Sequence, residues 1–280
     1  MKNKTTLYVS DLDGTLINSS YMISHYSIDT LNDLIARGLN FTYATARSYH
    51  SSCRFTHELK LTWPVIVYNG AMIVEGTDGA ILDVQVFCQK TSRMIEAALA
   101  KYRINPLVYT MIDTKEKVLW HWRRQNDHVK DYIASRRGDL RFVARNDDES
   151  IYEGSIFYYT AIDDLSALEA VYGYLKTLPG IICSLKKELY TDEYFLEIMA
   201  PGANKAKALE RLKKIREYDE LVCFGDETND LEMLKKADVA VAVKNAAAKV
   251  KQVASSHAGS NDEDGVARWI AANFHDYIDN

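Results

Sequence analysis

The stretch Val9-Ser10-Asp11-Leu12-Asp13-Gly14-Thr15-Leu16 decides the fold, because it closes a short apolar run with two carboxylates and a glycine. The apolar run predicts a buried strand. Residues two apart in a strand point to the same face, so Asp11 and Asp13 can both face one point where the strand ends. Two anions so close repel each other, and a divalent cation such as Mg2+ relieves that repulsion. A solvated Asp-x-Asp turn is the alternative interpretation of the same residues.

The bulk composition limits the classes of protein to consider. The chain has 280 residues with 47% hydrophobic and 26% charged residues, which is typical of a soluble globular protein with one large domain or two ordinary ones. A net charge of -5 gives no electrostatic footprint for nucleic acid. No apolar run approaches the roughly 18 residues of a membrane span, and the N-terminus lacks the apolar core of a signal peptide. We therefore expect neither nucleic acid nor membrane as a partner.

The cysteines and the surface pattern bear on location and assembly. The four cysteines are scattered without a Cys-x-x-Cys pair, so they predict neither a zinc site nor a disulfide framework. A reducing cytoplasm is the simplest location for such a chain. The sequence shows no exposed apolar heptad, and we expect a monomer.

Strands and helices alternate over the first part of the chain. Apolar patterns predict strands at 6–10, 39–44 and 65–68, with helices at 27–37 and 47–58 between them. Ser27 is the expected N-cap of the first helix. This alternation predicts a parallel sheet with right-handed crossovers. A hairpin at 72–84 follows, with its turn at 76–79.

The pattern changes in the middle of the chain and then returns to the first type. Residues 86–187 are richer in aromatics and predict an inserted α+β domain with an open sheet and helices on one face. From 188 onward, strands are expected at 194–199, 221–224 and 239–243, with helices at 205–215, 229–236, 246–254 and 265–273. We predict a doubly wound, Rossmann-like parallel core formed by residues 1–85 and 188–280.

Four groups of polar residues each follow the C-terminal end of a predicted strand, which is where ligands bind in open α/β sheets. Each has a plain structural alternative. Thr45 offers a hydroxyl, but it is equally a helix N-cap. Lys205 begins a helix and opposes the helix dipole, although exposed lysines are common. Asp226, Asn229 and Asp230 follow a buried strand, where acidic residues also serve as ordinary caps. The first group is Asp11 and Asp13.

Together these groups occur in the order found in the haloacid dehalogenase superfamily. The chain resembles the Cof-like branch of its phosphatases, which carries a type-2 (C2B) cap. The matching segments cover both flanks of the chain, and they are 11–16, 44–47, 68–70, Lys205, 225–230, 241–246 and 263–267. The middle of the chain matches the inserted cap only in position and length.

The resemblance implies a role for each matching residue. Asp11 is the expected nucleophile, Asp13 the acid and base, and Thr45 and Lys205 the groups that hold the phosphoryl oxygens. Asp11, Asp226 and the backbone carbonyl of Asp13 are expected to bind Mg2+. Supporting roles fall to Asn229 and Asp230, and substrate contacts are expected from Arg47 and Asn69.

The expected activity is Mg2+-dependent hydrolysis of small phosphorylated metabolites, sugar phosphates first, through an aspartyl-phosphate. Two alternatives stay open at this point. A phosphosugar mutase shares the aspartyl-phosphate step but must protect that intermediate from water. A non-catalytic phosphometabolite sensor would keep the fold, although it has no need for both a nucleophile and an acid.

Overall fold

The computed structural model describes residues 4–187 and 193–274. The chain divides into two units, which are Met1–Val84 with Ala203–Asn280, and Gln85–Gly202. We call the first the parallel-sheet unit and the second the inserted unit. Within the described ranges, no helix is both long and apolar enough to cross a membrane.

The parallel-sheet unit is built on five parallel strands in the order β14-β13-β12-β1-β2. Their bounds are β1 Thr6–Ser10, β2 Asn40–Tyr43, β12 Glu220–Gly225, β13 Val239–Ala242 and β14 Ser256–His257. The central strands carry apolar residues on both faces: Val9 and Cys223 on one face and Phe224 on the other have no solvent exposure. Burial on both faces is the reason that these strands read as continuous apolar runs.

Helices cover this sheet and bury their apolar stripes. The bounds are α1 His25–Ala36, α2 Tyr49–Thr56, α6 Lys205–Ile215, α7 Leu231–Lys236, α8 Ala248–Val253 and α9 Gly265–Asn273. Helix α1 begins earlier than predicted, because the N-cap is Ser24, whose side chain accepts a hydrogen bond from the Ser27 amide. Ser27 instead donates its hydroxyl to Asp264 of the loop before α9.

One predicted strand pairs differently from expectation. Strand β3, Val65–Val67, is antiparallel to β4, Met72–Val74, which pairs in turn with β5, Ile81–Val84. Its link to the parallel sheet is a single bridge between Ala44 and Ile66. The three-residue turn Tyr68–Gly70 brings β4 back directly beside β3. Strand β3 therefore pairs mainly with β4 and not with the five-stranded parallel sheet.

The inserted unit contains a six-stranded sheet in the order β10-β11-β9-β6-β7-β8. Its strands are β6 Leu107–Ile112, β7 Lys115–His121, β8 Phe142–Arg145, β9 Ser155–Asp163, β10 Ile182–Lys187 and β11 Tyr194–Met199. The helices are α3 Gln89–Lys101, α4 Asp127–Ala134 and α5 Leu165–Leu175. Helices α3 and α5 contribute Ile95, Leu99, Leu168 and Val171 to one apolar core with the sheet.

Two features of this unit differ from the sequence prediction. Strand β8 was not predicted, and it pairs parallel with β7. Strand β11, expected in the parallel core, pairs antiparallel with β9 and β10, so the return to the parallel-sheet unit comes at Ala203. An apolar strand pattern does not specify its sheet, which explains the difference. The predicted boundary at 188 lies outside the described residues.

Candidate active site

Two acidic segments meet at the carboxyl edge of the parallel sheet. Asp11 follows β1 and Asp226 follows β12, and these strands are neighbours with Ser10 opposite Phe224. The Asp11 amide donates to the Phe224 carbonyl at 3.0 Å, which extends the pairing one residue past the end of β1. Parallel neighbours end at the same edge, so side chains from two ends of the sequence converge there.

Lys205 lies buried between the carboxylates of Asp11 and Asp230. Its Nζ is 2.6 Å from Asp11 Oδ1 and 2.7 Å from Asp230 Oδ1. The three residues are 2%, 5% and 0% exposed in the order Lys205, Asp11, Asp230. Lys205 is the first residue of α6, where a cation opposes the helix dipole. The two carboxylates provide the compensation, since a buried ammonium without a partner is strongly unfavourable.

The protonation of this group follows from burial and mutual charge. Burial raises the pKa of Asp11 well above its ordinary value, and the nearby Asp230 carboxylate raises it further. Burial alone would lower the pKa of Lys205, but the charges of Asp11 and Asp230 outweigh that effect and raise it. Lys205 is therefore an ammonium, and this one cation faces two carboxyl groups, those of Asp11 and Asp230.

Asp226 adds a third carboxylate and completes an oxygen-rich cluster. Its Oδ1 accepts a hydrogen bond from Thr15 Oγ1 at 2.8 Å. Burial raises the pKa of Asp226 to about 6. Carboxylate oxygens of Asp11, Asp226 and Asp230 all lie within 4.8 Å of one another. Hard oxygen donors in this number and with this surplus of negative charge fit Mg2+, which prefers carboxylates and keeps several waters.

Glycine is required beside this cluster. Gly14 has φ of +74°, and a Cβ there would lie 2.3 Å from Asp226 Oδ2. The loop after β1 can approach the acid cluster only without a side chain at this position.

Asp230 holds the loop after β12 in place. Its Oδ2 accepts from the amides of Asp226 at 3.1 Å and Glu227 at 3.2 Å, while its other oxygen meets Lys205. The predicted metal set was Asp11, Asp226 and the Asp13 backbone. The side-chain cluster contains Asp230 in addition.

Asp13 lies beside the cluster and pairs with Arg47. The Arg47 Nε is 3.1 and 2.9 Å from the two Asp13 oxygens, and its Nη2 is 2.6 Å from Oδ1. The guanidinium also lies 4.6 Å from the centre of the Phe55 ring. A bidentate pair of this kind fixes the direction of a carboxylate. Arg47, predicted to contact substrate, thus contacts the predicted acid and base.

Thr45 is fully buried and organises the loop after β2. Its hydroxyl accepts from the Arg47 amide at 3.1 Å, and the N-cap of α2 is Ser48. The Thr45 carbonyl accepts from the Asn69 amide at 2.9 Å. Thr45 therefore caps a local turn and leaves the helix to Ser48.

The turn Tyr68–Gly70 is strained. Its three residues have φ of +53°, +54° and +92° in chain order. The left-handed region costs about 1–2 kcal/mol for a residue with a Cβ, although asparagine tolerates it better. Asn69 Oδ1 accepts from Asn229 Nδ2 at 3.5 Å, which brings two predicted site residues together. Strain of this size persists where surrounding contacts enforce it.

Three residues at this edge were not predicted to serve the site. Thr15 bonds Asp226, Asn245 Nδ2 donates to the Gly14 carbonyl at 2.7 Å, and Arg211 Nη2 donates to the Gly70 carbonyl at 2.5 Å. Thr15 and Asn245 stand inside segments that the resemblance matched, so their position was the available signal. Arg211 gives no signal in sequence, because it is one of several basic residues on α6.

Comparison with known proteins gives a consistent result. Residues 8–270 match the haloacid dehalogenase-like hydrolase family. The 5-amino-6-(5-phospho-D-ribitylamino)uracil phosphatase YitU of Bacillus subtilis is 28% identical over 98% of this chain and 99% of its own length. The corresponding Escherichia coli phosphatase, YbjI, is 25% identical over 93% of each chain.

A solved structure also aligns over nearly the whole chain. It is a haloacid dehalogenase-like hydrolase from Bacteroides thetaiotaomicron, with a TM-score of 0.79, 25% identity, and coverage of 97% of this chain and 100% of that one. The predicted fold class, a parallel α/β core with an inserted α+β unit, is confirmed.

Proposed function

The chain belongs to the haloacid dehalogenase-like hydrolase family and is a phosphatase; from this premise we propose that it hydrolyses small phosphorylated metabolites with Mg2+ and an aspartyl-phosphate on Asp11. The observation that carries the proposal is the buried Asp11 carboxylate held 2.6 Å from the Lys205 ammonium. Lys205 orients the Asp11 carboxylate, and its charge lowers the pKa of Asp11 against the larger effect of burial. The ammonium has three donors, of which two serve Asp11 and Asp230, so one is left for a phosphoryl oxygen.

In the first step, a carboxylate oxygen of Asp11 attacks phosphorus and the bond to the substrate oxygen breaks. The leaving oxygen takes a proton from Asp13. In the second step, water attacks the phosphorus and the bond between phosphorus and the Asp11 oxygen breaks. The proton of the water passes to Asp13, and inorganic phosphate and free Asp11 result. The Arg47 guanidinium fixes the direction of the Asp13 carboxylate and leaves it partly exposed, which suits the base of the second step. As the acid of the first step, Asp13 must enter protonated and released from this ion pair.

Asp11, Asp226 and the backbone of Asp13 would hold Mg2+, with Asp230 close enough to take part or to bind its waters. When bound, the cation offsets the repulsion between an anionic nucleophile and an anionic phosphate. Thr45 and the amides near it would meet the phosphoryl oxygens, and Asn69 with Asn229 would position Lys205 or the substrate.

The substrate class is the finer part of the proposal. Two relatives are named for a phosphorylated ribityl compound. We place sugar phosphates and phosphorylated sugar alcohols first, and 5-amino-6-(5-phospho-D-ribitylamino)uracil belongs in the panel to be tested. The proposal includes a monomer in the cytoplasm. All four cysteines are free, which is consistent with a reducing compartment.

The test is hydrolysis of p-nitrophenyl phosphate with Mg2+ and with a chelator. Asp11→Asn should lower turnover by at least about 10^4-fold, as the loss of a covalent nucleophile does elsewhere. Asp139→Asn is the matched control, since Asp139 is a carboxylate of the inserted unit with 6% side-chain exposure and pairs with Arg141. Acid-quenched enzyme should carry a phosphoryl group on the peptide that contains Asp11.

Each other result has a defined meaning. Turnover that survives Asp11→Asn or the chelator contradicts the mechanism. A requirement for a sugar bisphosphate identifies a mutase. Binding of sugar phosphates without any turnover identifies a sensor.

A further inference from the structure

Contacts of Arg211 tie three segments of the parallel-sheet unit together. Its Nε lies 2.7 Å from Asp83 Oδ2, and its Nη2 donates to the Gly70 carbonyl. The Arg211 side chain is 18% exposed and that of Asp83 is 24% exposed. The guanidinium therefore joins α6, β5 and the turn Tyr68–Gly70, and its planar fork suits two simultaneous acceptors.

The turn that Arg211 holds is the strained element of the site. A Cβ on Gly70 would lie 2.5 Å from the backbone of Asn204 and 2.9 Å from the Lys205 amide nitrogen. The turn is thus pressed against the first residues of α6. On its other side, the amides of Tyr68 and Asn69 donate to the carbonyls of Arg47 and Thr45 at 2.9 Å.

The position of these contacts in the chain is also informative. Asp83 stands two residues before Gln85, where the inserted unit begins, and α6 starts two residues after Ala203, where the parallel-sheet unit resumes. One guanidinium thereby fastens both the outgoing strand and the returning helix. Lys205 belongs to that helix, six residues before Arg211.

We propose that Arg211 is a positioning residue that holds the strained turn Tyr68–Gly70 against the start of α6 and so fixes Lys205 and Asn69. The proposal rests on the proposed function for its effect on turnover, but its structural part is independent of activity. Helix α6 does not depend on Arg211 for its packing, because its buried apolar face includes Ala208, Leu209 and Leu212.

The experiment compares Arg211→Met with Arg216→Met. Arg216 is the matched control, because it ends the same helix, donates to the Thr62 carbonyl at 2.6 Å and stacks 4.2 Å from the Trp63 ring centre. Arg211→Met should lower kcat about 10- to 100-fold, since small displacements of reacting groups have effects of that size. KM and the melting temperature should change little, and Arg211→Lys should restore part of the rate.

Hydrogen exchange gives the second readout. Arg211→Met should accelerate exchange in peptides that contain the Tyr68 and Asn69 amides, while Arg216→Met should not. Unchanged exchange there, or equal effects of the two substitutions on exchange and rate, would overturn the proposal. If the wild-type protein shows no phosphatase activity but Arg211→Met still accelerates hydrogen exchange at the turn, the proposed function is wrong and the positioning role of Arg211 stands. If Arg211→Met is insoluble, Arg211→Lys carries the same comparison.

Discussion

Each unit of the molecule contains a lysine or arginine that pairs with two carboxylates, and the two groups differ in the charge that surrounds them. The first group is Lys205 with Asp11 and Asp230, and the second is Arg141 with Glu116 and Asp139. In the first group, Asp226 is a third carboxylate close to the single cation, Lys205.

Arg141 bonds both carboxylates of its group. Its Nε and Nη2 contact both Asp139 oxygens, its Nη1 is 2.5 Å from Glu116 Oε1, and the Arg141 amide donates to Asp139 at 3.0 Å. These contacts fasten the chain that enters β8 to β7. Partial exposure of Arg141, at 19%, also lowers the cost of its burial. One cation with two carboxylates therefore forms a structural clamp in the inserted unit, whereas the cation of the parallel-sheet unit lies in a cluster of three carboxylates.

The largest difference should follow removal of the central cation. Lys205→Met leaves Asp11 and Asp230 buried without an ammonium, so we expect a loss of about 3–5 kcal/mol in the free energy of unfolding and loss of turnover. Arg141→Met should cost less, because Glu116 is 11% exposed and Asp139 keeps its hydrogen bond from the backbone amide of residue 141, and it should leave turnover unchanged. Thermal melts and steady-state rates of the two variants measure this. Equal losses of turnover would show that the two groups do not differ in function.

The surplus of acid predicts a pH dependence for metal binding. The pKa of Asp226 is raised to about 6, so the folded protein binds that proton more tightly than the unfolded chain does. The free energy of unfolding of the metal-free protein therefore falls as pH rises from about 4 to about 6, by up to about 3 kcal/mol. Mg2+ binds the deprotonated form and should reverse the loss.

The increase in melting temperature caused by Mg2+ should accordingly be small at about pH 5 and full above about pH 7. Asp226→Asn is the control, and it should remove most of the increase at every pH. An increase in the wild-type protein that does not vary with pH would contradict the assignment of Asp226.

The smallest effect is expected from the hydroxyl beside Asp226. Thr15→Val removes the 2.8 Å hydrogen bond to Asp226 and should weaken Mg2+ binding about 10-fold, as loss of a ligand's hydrogen-bond partner does. Thr6→Val is the matched control, because Thr6 contacts Glu220 at the opposite end of the same two strands. Calorimetric titration with Mg2+ should show unchanged affinity for that control. If Thr15→Val binds Mg2+ as tightly as the wild-type protein does, the hydrogen bond from Thr15 does not contribute to Mg2+ binding by Asp226.

The sequence predicted the strand-end chemistry better than it predicted strand pairing. Asp11, Asp226 and Asp230 were expected near one another because parallel strands place their C-terminal ends at one edge, and the structure brings them together. Lys205 joins them from the start of α6, although the strand before it, β11, lies outside the parallel sheet. Their catalytic roles stay predictions. The pairing of Arg47 with Asp13 was not foreseen, since a side-chain direction depends on the loop conformation between them.

Strands β3 and β11 show the limit of an apolar pattern. Both were recognised as strands, yet each pairs in a sheet other than the one expected. Periodicity reports how a strand is buried, whereas its partner depends on the length of the connections and on competing edges. Strand β14, with two residues, is too short to give a pattern at all.

The pairing of Thr6 with Glu220 has a consequence for how the protein is made. The first strand leaves the ribosome long before its neighbour exists, and at typical elongation rates the interval is on the order of 10–40 s. During that time, the apolar residues of β1 lack one of their two strand partners and are open to aggregation or chaperone binding. Asp11, Lys205 and the acid cluster can assemble only after residue 230 has been synthesised, so a chain truncated before Lys205 should carry the first motif without any activity.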